Sequence, residues 1–302
     1  MRSLLLSSLV LVVNIHASQF SFLFYNDVFA GTDQHFTNGL ALSYLGDTSF
    51  QDSSRTTKGI AISQMIMTPE DISQTVAQYD DLPYAGYLTL SGFIFQWDAK
   101  SFDEYRIELG VVGNESGARA LQNFIHKILD NTPAQGWDTQ LGTQVTLNAL
   151  YRHGEITWKS SQNYLEMDWF NHYGIQIGNY ISDVFAGSIF RIGKNYRKNF
   201  NVHYPSMKEE ASLLLIEQNH GLGWSASIGI NANLLAYSYI MDEAINQGYN
   251  FEKNNLNTNL YLGADFFYSR HKVSLFLQML SPYTTSQTKP DKLGGFAYSY
   301  IF

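Results

Sequence analysis

The chain has 302 residues, of which 15% are aromatic, with no cysteine and a net charge of −8 at pH 7. The acidic balance argues against nucleic-acid binding, which needs a basic face, and the lack of cysteine excludes a fold that depends on disulfides. Beyond residue 17, no stretch is continuously apolar over the roughly 20 residues that a spanning helix requires.

The N-terminus has the layout of a secretory signal peptide. Met1 and Arg2 form a short basic start, residues 3–13 are apolar, and the small residue Ala17 follows shortly after. The apolar run is too short for a transmembrane anchor. We therefore expect cleavage after Ala17, with residues 1–17 as the signal peptide.

Alternation of apolar with small, polar or charged residues recurs along the rest of the chain. Between residues 103 and 113, for example, Tyr105 and Ile107 alternate with Arg106 and Glu108. Strands of a membrane barrel need this pattern because one face meets lipid and the other a polar interior. A soluble half-buried sheet gives it too, but its repetition behind a signal peptide favours the barrel. The pattern predicts strands at 19–26, 36–47, 57–67, 85–97, 103–113, 139–152, 163–177, 183–193, 222–239, 257–268, 270–281 and 294–302.

The predicted fold is therefore a single domain, residues 18–302, that forms an all-β, antiparallel transmembrane β-barrel of about twelve strands. An even number of strands places both chain ends on the periplasmic side, where the link 194–221 is too long for a tight turn. The last predicted strand carries an aromatic residue at every second position from Phe296 and ends on Phe302. This ending resembles the assembly signal of outer-membrane barrels.

One segment, residues 116–130, breaks the β pattern. Its apolar residues recur at helical spacing, and Pro133 lies just beyond, where a helix would stop. The segment predicts a short helix within an extracellular loop, on which Gln122 and His126 share one side. One interpretation is that this helix lies across the barrel mouth.

Few residues in the sequence suggest chemistry by themselves. It contains no Gly-x-Ser-x-Gly, no HExxH and no phosphate-binding glycine loop. His126 stands out among the histidines because it projects from the predicted helix beside Gln122. A second polar cluster, residues 25–39, surrounds the first outward hairpin, although turn formation explains its Asn, Asp, Gly and Thr residues better than catalysis does.

Five blocks in order along the chain resemble the lipid A 3′-O-deacylase family. They are NDVFAGTDQHFTNG at 26–39, MTPEDI at 67–72, DLPYAG at 81–86, QNFIH with GWDTQL between 122 and 141, and KPDKLGGFAYSYIF at the C-terminus. The resemblance covers most of the chain after the signal peptide, least clearly 194–221 and 240–256. Members of that family are twelve-stranded outer-membrane barrels that remove the acyloxyacyl chain at the 3′ position of lipid A by calcium-dependent hydrolysis.

The resemblance also implies a set of site residues. It places the family's active-site Asn and Asp at Asn26 and Asp27, its hydroxyl residue at Thr37, and its Gln–His pair at Gln122 and His126. His126 would then act as the general base that activates water, and Asp27 would bind Ca²⁺. The catalytic residues Asn26, Thr37 and Gln122 would donate hydrogen bonds or orient the reacting groups.

The sequence departs from the family's pattern at two positions. Thr132 stands where an acidic residue is expected six positions after His126, with Asp130 nearby as a substitute. Leu82 stands where a basic residue is usual, and the 68–80 loop has no Lys–Arg pair. These departures weaken the expectation of tight calcium binding and of contacts to the phosphates of lipid A.

From these observations we expect an outer-membrane carboxylic ester hydrolase with Ca²⁺ as cofactor and its active site on the extracellular side. Its partners would be lipid A or lipopolysaccharide as substrate and the outer-membrane lipids, without nucleic acid, and we expect a monomer. Two alternatives stay open. One is a non-enzymatic channel or structural barrel in which the 116–130 helix is a plug, and the other is a phospholipase-type lipid esterase with the same His126 chemistry.

Overall fold

The structure is a computed structural model, and it describes residues 17–30, 36–46, 49–51, 54–128, 130, 132–162, 164–196 and 219–302. The predicted signal peptide lies outside these ranges except for Ala17. Most of the 194–221 link, residues 197–218, also lies outside them.

Twelve antiparallel strands in the described ranges close into a barrel, which confirms the predicted fold class. Closure occurs where the first strand pairs with both the second and the last, so that Phe24 lies opposite Phe296. A further strand of three residues, β3, only extends the turn between β2 and β4. The strands are β1 (Ala17–Asn26), β2 (Phe36–Gly46), β3 (Ser49–Gln51), β4 (Ser54–Met67), β5 (Ala85–Trp97), β6 (Ser101–Val112), β7 (Gln144–Gln162), β8 (Leu165–Gly178), β9 (Ile181–Lys194), β10 (Asn219–Ser238), β11 (Leu256–Ser269), β12 (His271–Leu280) and β13 (Asp291–Ile301).

The two ends of the barrel differ. At the end where β1 begins, here named the turn end, several links are tight, such as that between β11 and β12. The opposite end, the loop end, carries long links with two helices, α1 (Ala118–Ile128) and α2 (Tyr239–Asn246). Neither of these described helices has the length and apolarity that a membrane crossing requires.

The outward-facing side chains form an apolar band. Ile60 and Ile62 of β4, Leu90 of β5 and Ile107 of β6 are all exposed, and each alternates with buried neighbours. Contact with lipid explains such a continuous apolar surface, which soluble proteins rarely leave exposed. Exposed Tyr and Trp residues gather near the turn end, as in the aromatic girdles of membrane barrels: Tyr44, Tyr105, Trp158, Tyr164, Trp169, Trp224 and Tyr268.

The inward-facing side chains fill the described part of the interior. Glu104 is fully buried and accepts hydrogen bonds from Arg106 and from Arg152, whose Nε lies 2.8 Å from Glu104 Oε2. Asp168 pairs in the same way with Arg191 at 2.7 Å. Buried charges are tolerated only when paired like this. Phenylalanine rings pack against these ion pairs at similar levels of the interior: Phe93, Phe95, Phe102 and Phe170.

The mouth at the loop end is closed by α2. This helix buries Ile240, Met241 and Ala244 in one apolar cluster with inward-facing strand residues such as Tyr87 and Leu280. Since α2 occupies this position, the helix around residues 118–128 must lie elsewhere.

Candidate active site on the outer wall

Helix α1 packs against the outer wall of the barrel. Gly86 of β5 alternates in step with the exposed Leu90, so a side chain at position 86 would point outward. A Cβ built on Gly86 would lie only 2.2 Å from Ala118 Cβ and from Ser116 Oγ at the start of α1. The absence of a side chain at Gly86 therefore allows the helix to approach the lipid-facing surface directly.

Two outward-facing residues of β4 support the same position. Ile66 alternates with the exposed Ile62, yet it is buried because Ala118 and Trp137 pack over it. Gln64 donates a hydrogen bond to the Ser116 carbonyl oxygen at 2.5 Å. The helix thus lies on the wall, not across the mouth as one interpretation of the sequence had it.

The link at the start of α1 is also tied to the residue that precedes β7. The Thr143 hydroxyl donates a hydrogen bond to the Glu115 carboxylate, and this bond lowers the pKa of Glu115 below its usual value. A carboxylate stays ionised when it accepts such a bond.

The polar side of α1 faces the wall and its apolar side faces outward. Gln122 and His126 are buried, whereas Phe124 and Ile128 are 61% and 65% exposed. A helix in water would bury its apolar stripe instead. The inverted arrangement is stable where the surroundings are lipid, because Phe124 and Ile128 then meet hydrocarbon while the polar groups are enclosed.

His126 is oriented by the segment that follows the helix, residues 132–139, here named the return segment. His126 Nδ1 lies 2.7 Å from the Thr132 carbonyl oxygen. A carbonyl oxygen only accepts hydrogen bonds, so Nδ1 carries a proton and the tautomer of the neutral imidazole is the one with its lone pair on Nε2. The partner is backbone, so the replacement of an acidic residue by Thr132 does not leave the imidazole without orientation.

Gln122 is oriented by the same segment. The Trp137 indole N–H donates to Gln122 Oε1 at 2.6 Å, and both side chains are buried. Since an indole nitrogen only donates, the amide oxygen must face Trp137 and the Nε2 group must face away. Gln122 Nε2 is buried without a hydrogen-bond partner among the described residues, which leaves a donor for a ligand.

Asn26 and Asp27 lie where β1 ends at the loop end. Asn26 pairs with Gly294 of β13 and alternates in step with Phe24, which faces outward. Asp27 begins a 3₁₀ turn, Asp27–Ala30, and its side chain is buried. Both residues that the family resemblance selects therefore stand at the loop end of β1.

Thr37 occupies an irregular position at the start of β2. The β2–β4 register shifts between Phe36 and Asn38, which makes Thr37 the extra residue of a β-bulge. Bulges are frequent next to active sites because they redirect side chains. The side chain of Thr37 itself lies outside the described part of the structure.

Asn38 is a site residue that the sequence analysis missed. One step beyond the Tyr25–Gly39 pair it lies opposite Asn26, where Cβ atoms of facing residues are about 5 Å apart. Asn38 is buried, and its Oδ1 has no hydrogen-bond partner among the described residues. In the sequence, only its place in the run FTNG pointed to Asn38 as a site residue. Turn formation explains that run equally well.

The side chains near the end of β1 that could bind a metal ion would do so through oxygen atoms. Among the described residues there is no cluster of three or more His, Asp, Glu or Cys side chains that could hold a metal ion. The Asp27 carboxylate and the unsatisfied Asn38 amide oxygen are the ligand types that Ca²⁺ prefers. Backbone carbonyls and water would have to complete six or more ligands.

The two groups of candidate residues lie at the loop end of neighbouring strands. Strands β1, β2 and β4 lie side by side, and each spacing is about 4.8 Å, so β1 and the strand under α1 are about 10 Å apart. Asn26, Asp27 and Asn38 stand on one side, with Gln122 and His126 on the other. Leu82, in contrast, is buried in the cluster that closes the mouth, away from α1.

Fold and site together define an outer-membrane β-barrel with a loop helix that packs on its lipid-facing wall and buries polar side chains there. The chain belongs to the LpxR family: the family model described as outer membrane protein LpxR matches residues 4–302. This is the outer-membrane lipid A deacylase family that the sequence blocks resemble.

Solved structures agree with the fold. The chain is similar to LpxR from Salmonella typhimurium, with a TM-score of 0.82 at 17% identity over 94% of this chain and 100% of that one. It is also similar to the beta domain of the Bordetella autotransporter Brka, with a TM-score of 0.52 at 9% identity over 95% and 99%. None of the curated protein sequences matches the chain.

Proposed function

We propose that this protein hydrolyses an acyl ester of lipid A and removes the 3′-linked acyloxyacyl chain at the extracellular side of the outer membrane. The observation that carries the proposal is the inverted helix: α1 turns Gln122 and His126 toward the barrel wall while it presents Phe124 and Ile128 to lipid. A cleft built this way opens at the height of the outer leaflet, where a lipid ester can enter it sideways. Family membership supports the same reaction class.

His126 is the general base of this proposal. Its Nε2 lone pair accepts a proton from a water molecule as the water attacks the ester carbonyl carbon. The bond between Nδ1 and the Thr132 carbonyl keeps the lone pair on Nε2 and stabilises the imidazolium that forms. When the tetrahedral intermediate collapses, the same proton passes to the leaving alcohol oxygen.

Gln122 and the calcium ligands act on the carbonyl oxygen. Gln122 Nε2 donates to the oxyanion, and loss of one such donor typically costs about 3 kcal/mol of transition-state stabilisation. Asp27, Asn38 and Asn26 would hold Ca²⁺, which supplies positive charge to the ester carbonyl when bound. Thr37 would orient the groups between the two halves.

A phospholipase-type esterase is the second candidate. The observation that favours it is the burial of Leu82 in the mouth cluster, because no basic side chain of that block faces the cleft. Lipid A carries phosphates on its sugars that a deacylase contacts with cations. A glycerophospholipid would require fewer such contacts.

His126→Asn is the test of the catalytic proposal. Lipid A from cells that express the wild-type protein should lose the mass of the 3′-linked chain, and cells that express His126→Asn should keep it. The matched control is His271→Asn, because His271 bonds Tyr298 at the turn end of the barrel and should leave release unchanged. Unmodified lipid A with all three proteins would refute the proposal.

The same purified proteins separate the two lipid classes and test the cofactor. Wild type should release fatty acid from lipid A with Ca²⁺ and stop when a chelator removes the ion. Release from phosphatidylethanolamine vesicles without release from lipid A would select the phospholipase instead. Activity that survives chelation would exclude the calcium site.

A further inference from the structure

A second cavity lies on the outer wall beside the proposed active site. Its volume is about 440 Å³ and its lining is almost wholly apolar. It runs over β11, β12 and β13, on the opposite side of β1 from α1. The lining residues belong to these strands and to the 3₁₀ turn: Phe29, Leu262, Gly263, Ala264, Leu275, Phe276, Leu277, Gly294, Gly295 and Phe296.

The groove exists because small residues interrupt a row of bulky ones. Leu262, Leu275 and Leu277 project from the wall and are about half exposed. Ala264 and Gly294 occupy outward-facing positions between them and form the floor. Larger side chains at these two positions would fill the depression.

Phe29 forms the wall of the groove nearest the site. It is 53% exposed, and its ring packs against the outward-facing rings of Phe24 at 5.6 Å and Phe296 at 6.5 Å. A Cβ built on Gly294 would lie 2.6 Å from Phe29 Cβ, so Gly294 allows this packing. Phe29 belongs to the same turn as Asp27. One end of the groove is therefore formed by the turn that carries Asp27.

We propose that this groove binds the acyl chain attached to the scissile ester and so sets the chain length that the enzyme accepts. The inference rests on the proposed function. The groove begins beside Asp27, since Gly294 lies opposite Asn26 across β1 and β13. An ester held between Asp27 and His126 has α1 on one side and this groove on the other, so its acyl chain can extend into the groove. A saturated acyl chain matches the lining chemically, and its burial there is favourable.

Ala264→Phe tests the groove without altering Asp27, Gln122 or His126. The control is Ala149→Phe, because Ala149 is an exposed, outward-facing residue of β7, four strands from β11. The assay uses lipid A preparations with acyl chains of different lengths and measures released fatty acids by mass spectrometry. Ala264→Phe should lower release of long chains relative to short ones by about tenfold, the effect of losing burial of roughly two methylene groups.

Leu275→Trp provides a second variant that narrows the groove from β12, and heat-modifiable gel mobility checks that each variant is folded. The same change in length preference is expected from both groove variants. If Ala264→Phe and Leu275→Trp release the same length profile as Ala149→Phe, the groove is not the chain-binding site.

A binding measurement tests the groove independently of catalysis. His126→Asn protein in vesicles that contain a phosphatidylcholine with a diazirine at its acyl end should be photolabelled on β11–β13 more than on β7. Labelling at β11–β13 together with a wild-type protein that releases no fatty acid would show that the groove binds acyl chains and would refute the proposed reaction. Equal labelling of both walls would refute the groove even if the enzyme is active.

Discussion

Trp137 decides which end of the Gln122 amide is available to a ligand. Its indole N–H holds Gln122 Oε1 at 2.6 Å, and its ring packs 5.2 Å from that of Tyr84. In the proposed reaction Trp137 would be a positioning residue, because it contacts Gln122 and not the reacting ester. A buried amide whose two ends differ in chemistry needs such a partner to present one end reliably.

Trp137→Phe should keep the packing against Tyr84 and remove only the donor. We expect kcat for lipid A to fall by about 10-fold to 100-fold with KM nearly unchanged, since the amide then donates to the oxyanion in only part of the molecules. In a Gln122→Ala background the same substitution should have no further effect on kcat. Additive losses in the double variant would show that Trp137 acts independently of Gln122.

Thr132 differs from Trp137, because Thr132 contacts its partner His126 through its backbone and not through its side chain. Thr132→Val keeps the carbonyl oxygen that His126 Nδ1 contacts at 2.7 Å. Activity and its pH profile should therefore stay within about twofold of wild type, against the loss of roughly 10² or more that removal of a general base causes. A large decrease would show that the Thr132 hydroxyl itself takes part.

The sequence predicts residue types at this site better than their orientations. Asn26, Asp27, Gln122 and His126 followed from the family resemblance, and whether each has the predicted role stays a prediction. Trp137 and Asn38 stand inside the quoted blocks, but an Asn beside a Gly is ordinary in turns, and a Trp in a barrel is ordinary at interfaces. Only the tertiary structure shows that one orients an amide and the other leaves an oxygen unsatisfied.

At the scale of elements, periodicity predicted the strands closely because lipid and interior impose opposite demands on alternate residues. The predicted strand 85–97 coincides with β5 (Ala85–Trp97). Residues 116–130 were predicted as a helix, and α1 is Ala118–Ile128. The side on which a helix packs does not follow from its pattern, since burial of the apolar stripe holds only where the outside is water.

Helix α2 was missed for a related reason. The predicted strand extended to residue 239 because Leu235, Tyr237 and Tyr239 continue the alternation of β10. The chain turns helical at Tyr239 instead, where it enters the mouth and packs Ile240 and Met241 among inward-facing residues. Similarly, the strand predicted to start at residue 139 begins at Gln144. Residues Trp137–Thr139 form a 3₁₀ turn instead, and Trp137 in that turn packs against α1.

The contact between Gly86 and α1 offers a test of the helix position. Gly86→Val places a side chain where Ala118 Cβ and Ser116 Oγ lie 2.2 Å from the ideal Cβ, so α1 must move away from the wall. We expect a loss of about 10²-fold or more in hydrolysis, since small displacements of catalytic groups have effects of that order, with heat-modifiable mobility unchanged.

Gly92→Val is the matched control on the same face of β5, because nothing lies within 4 Å of its ideal Cβ. It should retain wild-type activity. Equal activity of Gly86→Val and Gly92→Val would mean that α1 does not need to touch the wall for catalysis. Equal loss in both would instead point to a general effect of valine on β5.

At the scale of the whole molecule, a channel and a lipid hydrolase place different demands on a barrel. A channel needs a water-filled interior, whereas a wall-mounted lipid hydrolase needs only a rigid outer surface. Here α2 closes the mouth, and the paired charges Glu104–Arg152 and Asp168–Arg191 fill the interior below it together with phenylalanine rings that pack against them. This packed interior fits the proposed function, in which the barrel would serve as a scaffold that holds the site at a fixed height in the membrane.

The protein should consequently conduct no ions in planar bilayers. The double substitution Ile240→Ser and Met241→Ser, which disrupts α2, should give no ion current either. The ion pairs and phenylalanine rings lie below the mouth and block the path through the barrel independently of α2. Insertion into the bilayer is verified in the same sample by protease protection of the strands. Stepwise currents from wild type would favour the channel alternative. Currents only from the double variant would show that α2 is the sole barrier and that the interior below it is more open than its packed charges indicate.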